Sequence, residues 1–343
     1  MKTRIILATL LATALPGAVQ DETIKLKVSH FLPPMSNFQQ TVLKPWCEAL
    51  QKDSDGRLQC EIYPAMQMGG TPPQLLGHVR DGIADIVWTS PSYTAGLFPS
   101  IEAIELPFMV PGTGVGGSRA MWEFYETHAQ KEFSRYKVLA ISSGSGMVLN
   151  TMKAAVTTLE GFDGLKLRSV SRISADMLSA LGSAPVSMPV SQVTESVSRG
   201  VADGAIAPWD LVNAIKLDEI TRFHAEFPPG KPALLAVSMA MLMNKQKYEA
   251  LPAELKAVID KNSGPALVDR FGRSWDESNA GSRKRAETMG NTIAQISDAE
   301  YEKMRDAVKG VEAEWIKEVK SKGLDGAELI SAARKIGEKH LGE

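Results

Sequence analysis

Arg168 closes the run Gly164-Leu165-Lys166-Leu167-Arg168, and a guanidinium is well shaped to hold a carboxylate because its planar fork makes two parallel charge-assisted hydrogen bonds. Taken alone, an arginine at the end of a strand reads as a surface residue. Three short polar side chains, His30, Thr89 and Ser90, could add hydrogen bonds to a small ligand. His30 reads equally well as a satisfied histidine at a strand end. Four aromatics stand near these in the chain: Phe31 beside His30, Trp88 and Tyr93 around Thr89-Ser90, and Trp209. Such rings line pockets that take an apolar or aromatic body, and each is as ordinary in a domain core. An aromatic box for a cationic ligand is the competing use, but it leaves Arg168 without a role. Arg172, four residues further on, reads as a solvated helix-start residue rather than a second binding cation.

Covalent and metal chemistry find less support. The five histidines, His30, His78, His128, His224 and His340, show no H-x-x-x-H pairing, and neither G-x-S-x-G nor a Cys-His nucleophile pattern is present. No metal and no cofactor are expected. Gly112 to Gly117 satisfies G-x-G-x-x-G, yet Pro111 abuts it, and the dinucleotide fingerprint needs a tight strand-turn-helix inside a βαβ unit. The run reads instead as a flexible surface loop. Cys47 and Cys60, thirteen residues apart, read either as one disulfide or as two small buried hydrophobes. With no histidine at ligand spacing beside them, they do not read as a metal site.

These side chains need elements to bring them together. Leu26, Val28 and His30 alternate as a strand, Leu43, Trp46 and Leu50 share a helix face, and Leu58, Cys60 and Ile62 alternate again. A helix over 75–79 and a strand over 86–89 continue this βαβ rhythm, which predicts a largely parallel sheet covered by helices. A further strand over 138–141 leads into Ser142-Ser143-Gly144-Ser145-Gly146, a stretch suited to a domain crossover. The later chain is helical: Leu255, Val258 and Ile259 share a face, as do Leu267, Phe271 and Trp275. Ser297 and Glu300 form a capping box for a helix carrying Tyr301, Met304, Val308, Val311 and Trp315. The late aromatics read as helix-packing anchors.

An internal echo suggests how a cleft would be built. Val79-Arg80-Asp81-Gly82-Ile83-Ala84-Asp85 resembles Val197-Ser198-Arg199-Gly200-Val201-Ala202-Asp203; in each a helical pattern ends at a glycine and an apolar strand follows. After the first copy comes Trp88-Thr89-Ser90-Pro91-Ser92-Tyr93, and after the second Ala207-Pro208-Trp209-Asp210. Open α/β sheets bind ligands beyond the carboxyl ends of their strands. Two similar halves, each presenting a Trp and a Pro there, would wall one cleft.

Composition bounds the class. The 343 residues, 44% hydrophobic and 23% charged, suit a globular protein of two domains, and a net charge of −2 offers no footprint for nucleic acid. Lys2 and Arg4, the apolar run from Ile5 to Leu15 and the small residues after Pro16 have the layout of a secretory signal peptide. Residues 1–20 are expected to be that leader, with the mature chain starting near Asp21 outside the cytoplasm.

In order and spacing, Val28-Ser29-His30, Ile62-Tyr63-Pro64, Gln67-Met68-Gly69, Glu105-Leu106-Pro107-Phe108, Gly164 to Arg168, Pro185 to Pro189, Ala202-Asp203-Gly204 and Tyr248 with Leu251-Pro252 carry a resemblance. The chain resembles the solute-binding proteins of tripartite ATP-independent periplasmic (TRAP) transporters, often labelled C4-dicarboxylate-binding. The resemblance implies an α/β, two-domain periplasmic binding protein of the type II-like clamp, with crossover strands and a long hinge helix. Domain I would be 21–144 plus 234–271 and domain II 145–233 plus 272–343, with the ligand cleft between them. It implies a monomer that binds a small organic acid in the periplasm and delivers it to the permease subunits of a TRAP transporter. It also implies that Arg168 pairs with the ligand carboxylate.

Two departures from the family pattern shape the expected ligand. A second arginine about one strand before the signature is replaced by Ser145-Gly146-Met147-Val148, and an asparagine before Pro208 by Ala207. A second carboxylate would have little to hold it. The expected ligand is therefore a monocarboxylate with an apolar or aromatic body. A C4-dicarboxylate or sulfonate receptor, or a secreted α/β enzyme, are the alternatives.

Overall fold

The computed structural model describes residues 23–144 and 146–343. The expected leader over 1–20 lies outside the described residues, as does Ser145 of the expected crossover. In chain order the strands are β1 Ile24–His30, β2 Leu58–Tyr63, β3 Ile86–Thr89, β4 Tyr136–Ser143, β5 Val148–Thr151 and β6 Lys166–Ser169. They continue with β7 Ala184–Ser187, β8 Gly204–Ala207, β9 Phe223–Glu226, β10 Ser238–Asn244 and β11 Thr292–Gln295. Two sheets result, one ordered β2-β1-β3-β10-β4 and the other β11-β9-β5-β8-β6-β7.

The βαβ rhythm holds where it was read, but neither sheet is purely parallel. β1 lies parallel to β2 and β3, whereas β10 runs antiparallel between β3 and β4. In the second sheet β6 lies parallel to β7 and β8, and β5 runs antiparallel between β8 and β9. The chain leaves the first sheet after β4 and returns to it with β10. Each antiparallel strand is thus one that arrives from the other sheet, and a strand delivered this way needs no helical crossover of its own.

The sequence echo is a structural repeat. Gly82 and Gly200 end their helices at positive φ, 73° and 70°, a conformation that side chains with a Cβ resist. Three residues on, each copy's aspartate ties its strand to the parallel neighbour. Asp85 accepts from the Lys27 amide at 2.8 Å and Asp203 from the Lys166 amide at 2.9 Å. Their own amides donate back to the Lys27 and Lys166 carbonyls. The two copies therefore set the register of the two parallel cores in the same way.

The helix Pro265–Thr288, 24 residues long, spans about 36 Å and packs against both Gly114–Phe124 and Trp209–Ala214. The G-x-G-x-x-G run is no flexible surface loop: it opens the buried helix Gly114–Phe124, capped by Thr113. A Cβ on Gly114 would stand 2.4 Å from the Gly272 carbonyl oxygen, and one on Gly272 would stand 2.6 Å from Val115 Cα. The glycines let two helix backbones touch. Asp276 accepts from the amides of Gly114 and Val115 at 2.5 and 3.0 Å, so the helix start already holds a carboxylate.

Cys47 and Cys60 form a disulfide between the helix Lys44–Asp53 and β2. The predicted capping box at Ser297 is half made. Ser297 accepts from the Glu300 amide, but the Glu300 carboxylate takes the Leu159 amide at 2.8 Å instead. Among the described residues no helix is long and apolar enough to cross a membrane.

Candidate ligand-binding cleft

A cavity lined by residues of both sheets lies between them. It sits where the carboxyl ends of β1, β3, β6 and β8 converge. Phe31, Trp88, Ser90 and Tyr93 line it from the first sheet, and Arg168, Val170, Ile206, Pro208 and Asp210 from the second. The crossover stretches close the sides with Gly144, Met147, Val237 and Met239, and the long helix contributes Trp275.

The rings form a continuous wall. Phe31 stacks on Trp88 with centroids 5.1 Å apart, Tyr93 meets Phe31 edge-on at 5.9 Å, and Trp275 lies 6.1 Å from Trp88. Phe38 backs Trp88 at 4.0 Å from behind. A flat apolar body fits such a wall, because aromatic pairs favour offset and edge-on contact.

Against this wall stands one cation. Arg168 is only 4% exposed, and its Nε donates to the Met188 carbonyl at 3.2 Å. Its Nη2 is buried with no hydrogen-bond partner, and among the described residues no carboxylate forms an ion pair with it. Burial lowers its pKa, opposed by the neighbouring Tyr93 hydroxyl. Burial in turn raises the Tyr93 phenol, opposed by Arg168 and by a backbone contact at Val190. Trp88 Nε1, Trp275 Nε1 and Ser90 Oγ are likewise buried without partners. Buried donors without acceptors are costly and uncommon, and an anion would satisfy several together.

Of the side chains singled out in the sequence, Phe31, Trp88, Ser90, Tyr93 and Arg168 come together at this cavity, while His30, Thr89 and Trp209 do not line it. Strand alternation explains Thr89: Trp88 and Ser90 face the cavity, so Thr89 faces away and donates to the Pro72 carbonyl at 3.3 Å. His30 is fully buried, bonded through Nε2 to Gln39 at 3.0 Å and set edge-on to Phe38. Burial holds its pKa down to about 4, so the ring is neutral. Trp209 begins a helix and turns to the far side, donating to Glu226 at 2.8 Å. Pro208 and Asp210, its neighbours, take the cavity face. Arg172 is tied up with Glu102, Asp176 and Glu318.

Among the cavity residues not singled out in the sequence, Trp275 and Asp210 are those with a buried polar atom lacking a partner. Trp275, grouped with the packing anchors, lines the cavity, because the apolar face of its helix runs on from Leu267 and Phe271 in the core to the cleft. Asp210 was overlooked beside Trp209. Burial pushes its carboxyl up to about 7, against backbone N–H groups at Leu211 and Asp210 that favour the charged form. Its Oδ1 is buried without a partner. An acid directly after a strand-Pro-Trp turn was the available signal. Tyr301 and Trp315 do anchor packing, through the Pro232 carbonyl and Glu102. Among the described residues no cluster of metal-ligating side chains occurs.

Comparison with known proteins gives consistent findings. The family model described as bacterial extracellular solute-binding protein, family 7, matches residues 28–318. A TRAP solute-binding protein of an unidentified marine microbe, specific for aromatic acid ligands and solved with 3-hydroxybenzoate, is 40% identical with a TM-score of 0.90, covering 93% of this chain and 99% of that one. One from Rhodoferax ferrireducens, solved with copurified benzoate, is 40% identical with a TM-score of 0.89, covering 93% and 98%. One from Bordetella bronchiseptica, solved with (R)- and (S)-mandelate, is 29% identical with a TM-score of 0.83, covering 92% and 99%.

Proposed function

The chain belongs to the family-7 bacterial extracellular solute-binding proteins, and from that premise we propose that it is a periplasmic receptor that binds an aromatic monocarboxylate, leaves it chemically unchanged and delivers it to a TRAP-type permease. One observation carries this reading. A buried guanidinium with an unpartnered Nη2 faces a cavity walled by Phe31, Trp88, Tyr93 and Trp275. The ligand carboxylate takes the guanidinium fork, with Ser90 and the indole N–H groups as further donors, and the aromatic body lies against the rings. Relatives solved with benzoate and 3-hydroxybenzoate support this ligand class.

In this reading the lobes are 21–144 plus 234–271 and 145–233 plus 272–343, with residues 1–20 as the leader, and the protein acts as a monomer. The long helix Pro265–Thr288 is the hinge along which the lobes close. The lining residues offer no second cation, which disfavours a C4-dicarboxylate.

Thermal-shift titration with benzoate, mandelate, benzenesulfonate and succinate tests the reading. A ligand at a hundred times its Kd stabilises by about 2.7 kcal/mol, and benzoate or mandelate should give the largest rise while being recovered intact. A larger response to succinate or benzenesulfonate, or turnover of the bound acid, would overturn it. Closure should also compact the protein in solution scattering.

A further inference from the structure

From the unpartnered Asp210 oxygen in the cavity we infer that the receptor is selective for aromatic acids that carry a hydrogen-bond donor on the ring, with Asp210 accepting that hydroxyl or amino hydrogen. The inference rests on the aromatic-carboxylate reading above and deepens it.

A census of hydrogen-bonding groups carries the argument. Five residues lining the cavity have a buried polar atom without a partner: Arg168 Nη2, Ser90 Oγ, Trp88 Nε1, Trp275 Nε1 and Asp210 Oδ1. Arginine and indole N–H groups only donate, and a serine hydroxyl can donate. Asp210, once ionised, only accepts. A benzoate carboxylate is an acceptor throughout. It can satisfy the donors, but it has no hydrogen to give the ionised Asp210, and its own charge is unwelcome beside that form, so the mismatch is greatest as the pH rises above about 7, where Asp210 loses its proton. A hydroxyl or amino group on the ring supplies the missing hydrogen.

The surroundings of Asp210 point the same way. No ion pair joins it to a cation among the described residues, although Arg168 lines the same cavity. Its amide is fixed by Asn279 Oδ1 at 2.9 Å, which holds the backbone beside the cleft. Burial raises the carboxyl to about 7, as expected of an acid without a cationic partner. Sites built to bond a ligand hydroxyl discriminate strongly against analogues lacking it, because their own polar group is then left unpaired.

Isothermal titration with benzoate, 3- and 4-hydroxybenzoate and the matching methoxybenzoates, against wild type, Asp210→Leu and Asp210→Asn, tests this. Wild type should bind one of the hydroxybenzoates about tenfold or more tighter than benzoate and than its methoxy counterpart, as a hydrogen bond to a charged group predicts. Asp210→Leu should lose this preference while binding benzoate a few-fold tighter, since the like charge is gone. Asp210→Asn, which keeps an acceptor oxygen, should retain part of it. If benzoate binds wild type as well as either hydroxybenzoate does, or if Asp210→Leu keeps the preference, the inference is wrong and the receptor reading stands. If no aromatic acid binds, both are wrong.

Discussion

Replacing Arg168 by methionine should make the empty protein more stable and the receptor useless. The guanidinium is 4% exposed, without an anionic partner among the described residues. Burying an ion costs several kcal/mol even after relaxation, and an unpaired one recovers little of this. Methionine has a similar reach and no charge. The substitution gives up the Nε bond to the Met188 carbonyl, worth about 1.5–3 kcal/mol as a charged hydrogen bond, and removes the larger desolvation penalty. The net gain should be about 1–2 kcal/mol, read as a Tm higher by roughly 1.5–3 °C. Binding should fall by about 3–5 kcal/mol, because a carboxylate would enter the same pocket unpaired; that is roughly 10²–10³-fold or more in Kd. Scanning calorimetry of ligand-free protein and titration with benzoate measure the two effects. A structural arginine would behave in the opposite way: Arg168→Met would lower the Tm and leave the affinity within a few-fold. That result would refute the carboxylate clamp.

Three further outcomes follow from the scaffold. Cys47→Ser opens a disulfide whose cysteines are 13 residues apart and should cost about 2–3 kcal/mol in denaturant unfolding, without altering benzoate affinity, since neither cysteine lines the cavity. Gly272→Ala pushes a Cβ to 2.6 Å from the Val115 backbone; despite alanine's better helix propensity it should lose about 1–2 kcal/mol, and an unchanged Tm would show that the helices part easily. Burial raises the Glu105 carboxyl to about 7, although Ser92 and Ser238 hydrogen-bond it. The folded state thus keeps a proton that the unfolded state releases near 4.5, so the group's stabilisation is full below pH 4.5 and is lost as the pH rises through 7. Glu105→Gln does not titrate and should gain about 3 kcal/mol relative to wild type between pH 4.5 and 7.5; a pH-independent difference would contradict the assigned burial.

Much of the architecture was legible because it is local. Alternation at Leu26-Val28-His30 and Leu58-Cys60-Ile62 placed strands that the structure contains. The antiparallel strands were not legible, since the pairing of β10 between β3 and β4 joins segments about a hundred residues apart or more, and no local pattern encodes it. The G-x-G-x-x-G run misled for a similar reason. Its glycines answer to Gly272 and Asp276, far along the chain. At the cleft, Asp210 lay one residue from an expected position, whereas Trp275 lies on a helix far along the chain from the other site residues. Thr89 and Ser90 were both expected at the cavity and only Ser90 lines it, and Trp209 was expected where Asp210 stands, because a strand end fixes which neighbours face the ligand only once the turn after it is known.

The repeat shows where the asymmetry of the cleft arises. Both halves share the glycine stop, the aspartate that ties parallel strands and the apolar strand itself. Their backbones stay alike just beyond that strand: Ser90 and Pro208, each five residues after the aspartate, are extended, and each is followed at once by a helix. In the first half the chain stays extended through Trp88 and Ser90, which puts an indole and a hydroxyl, both donors, on the cavity face. In the second, the matching positions are Ile206 and Pro208, which offer no donor, and beyond them the Trp209 indole turns away to Glu226 while Asp210 lines the cavity. Different side chains on one backbone pattern thus give a donor wall on one side and an acceptor on the other. With Arg168 at the end of β6, the cleft has a fixed polarity: donors for a carboxylate, an aromatic wall, and an acceptor. A symmetric pair of walls could not tell one end of a ligand from the other.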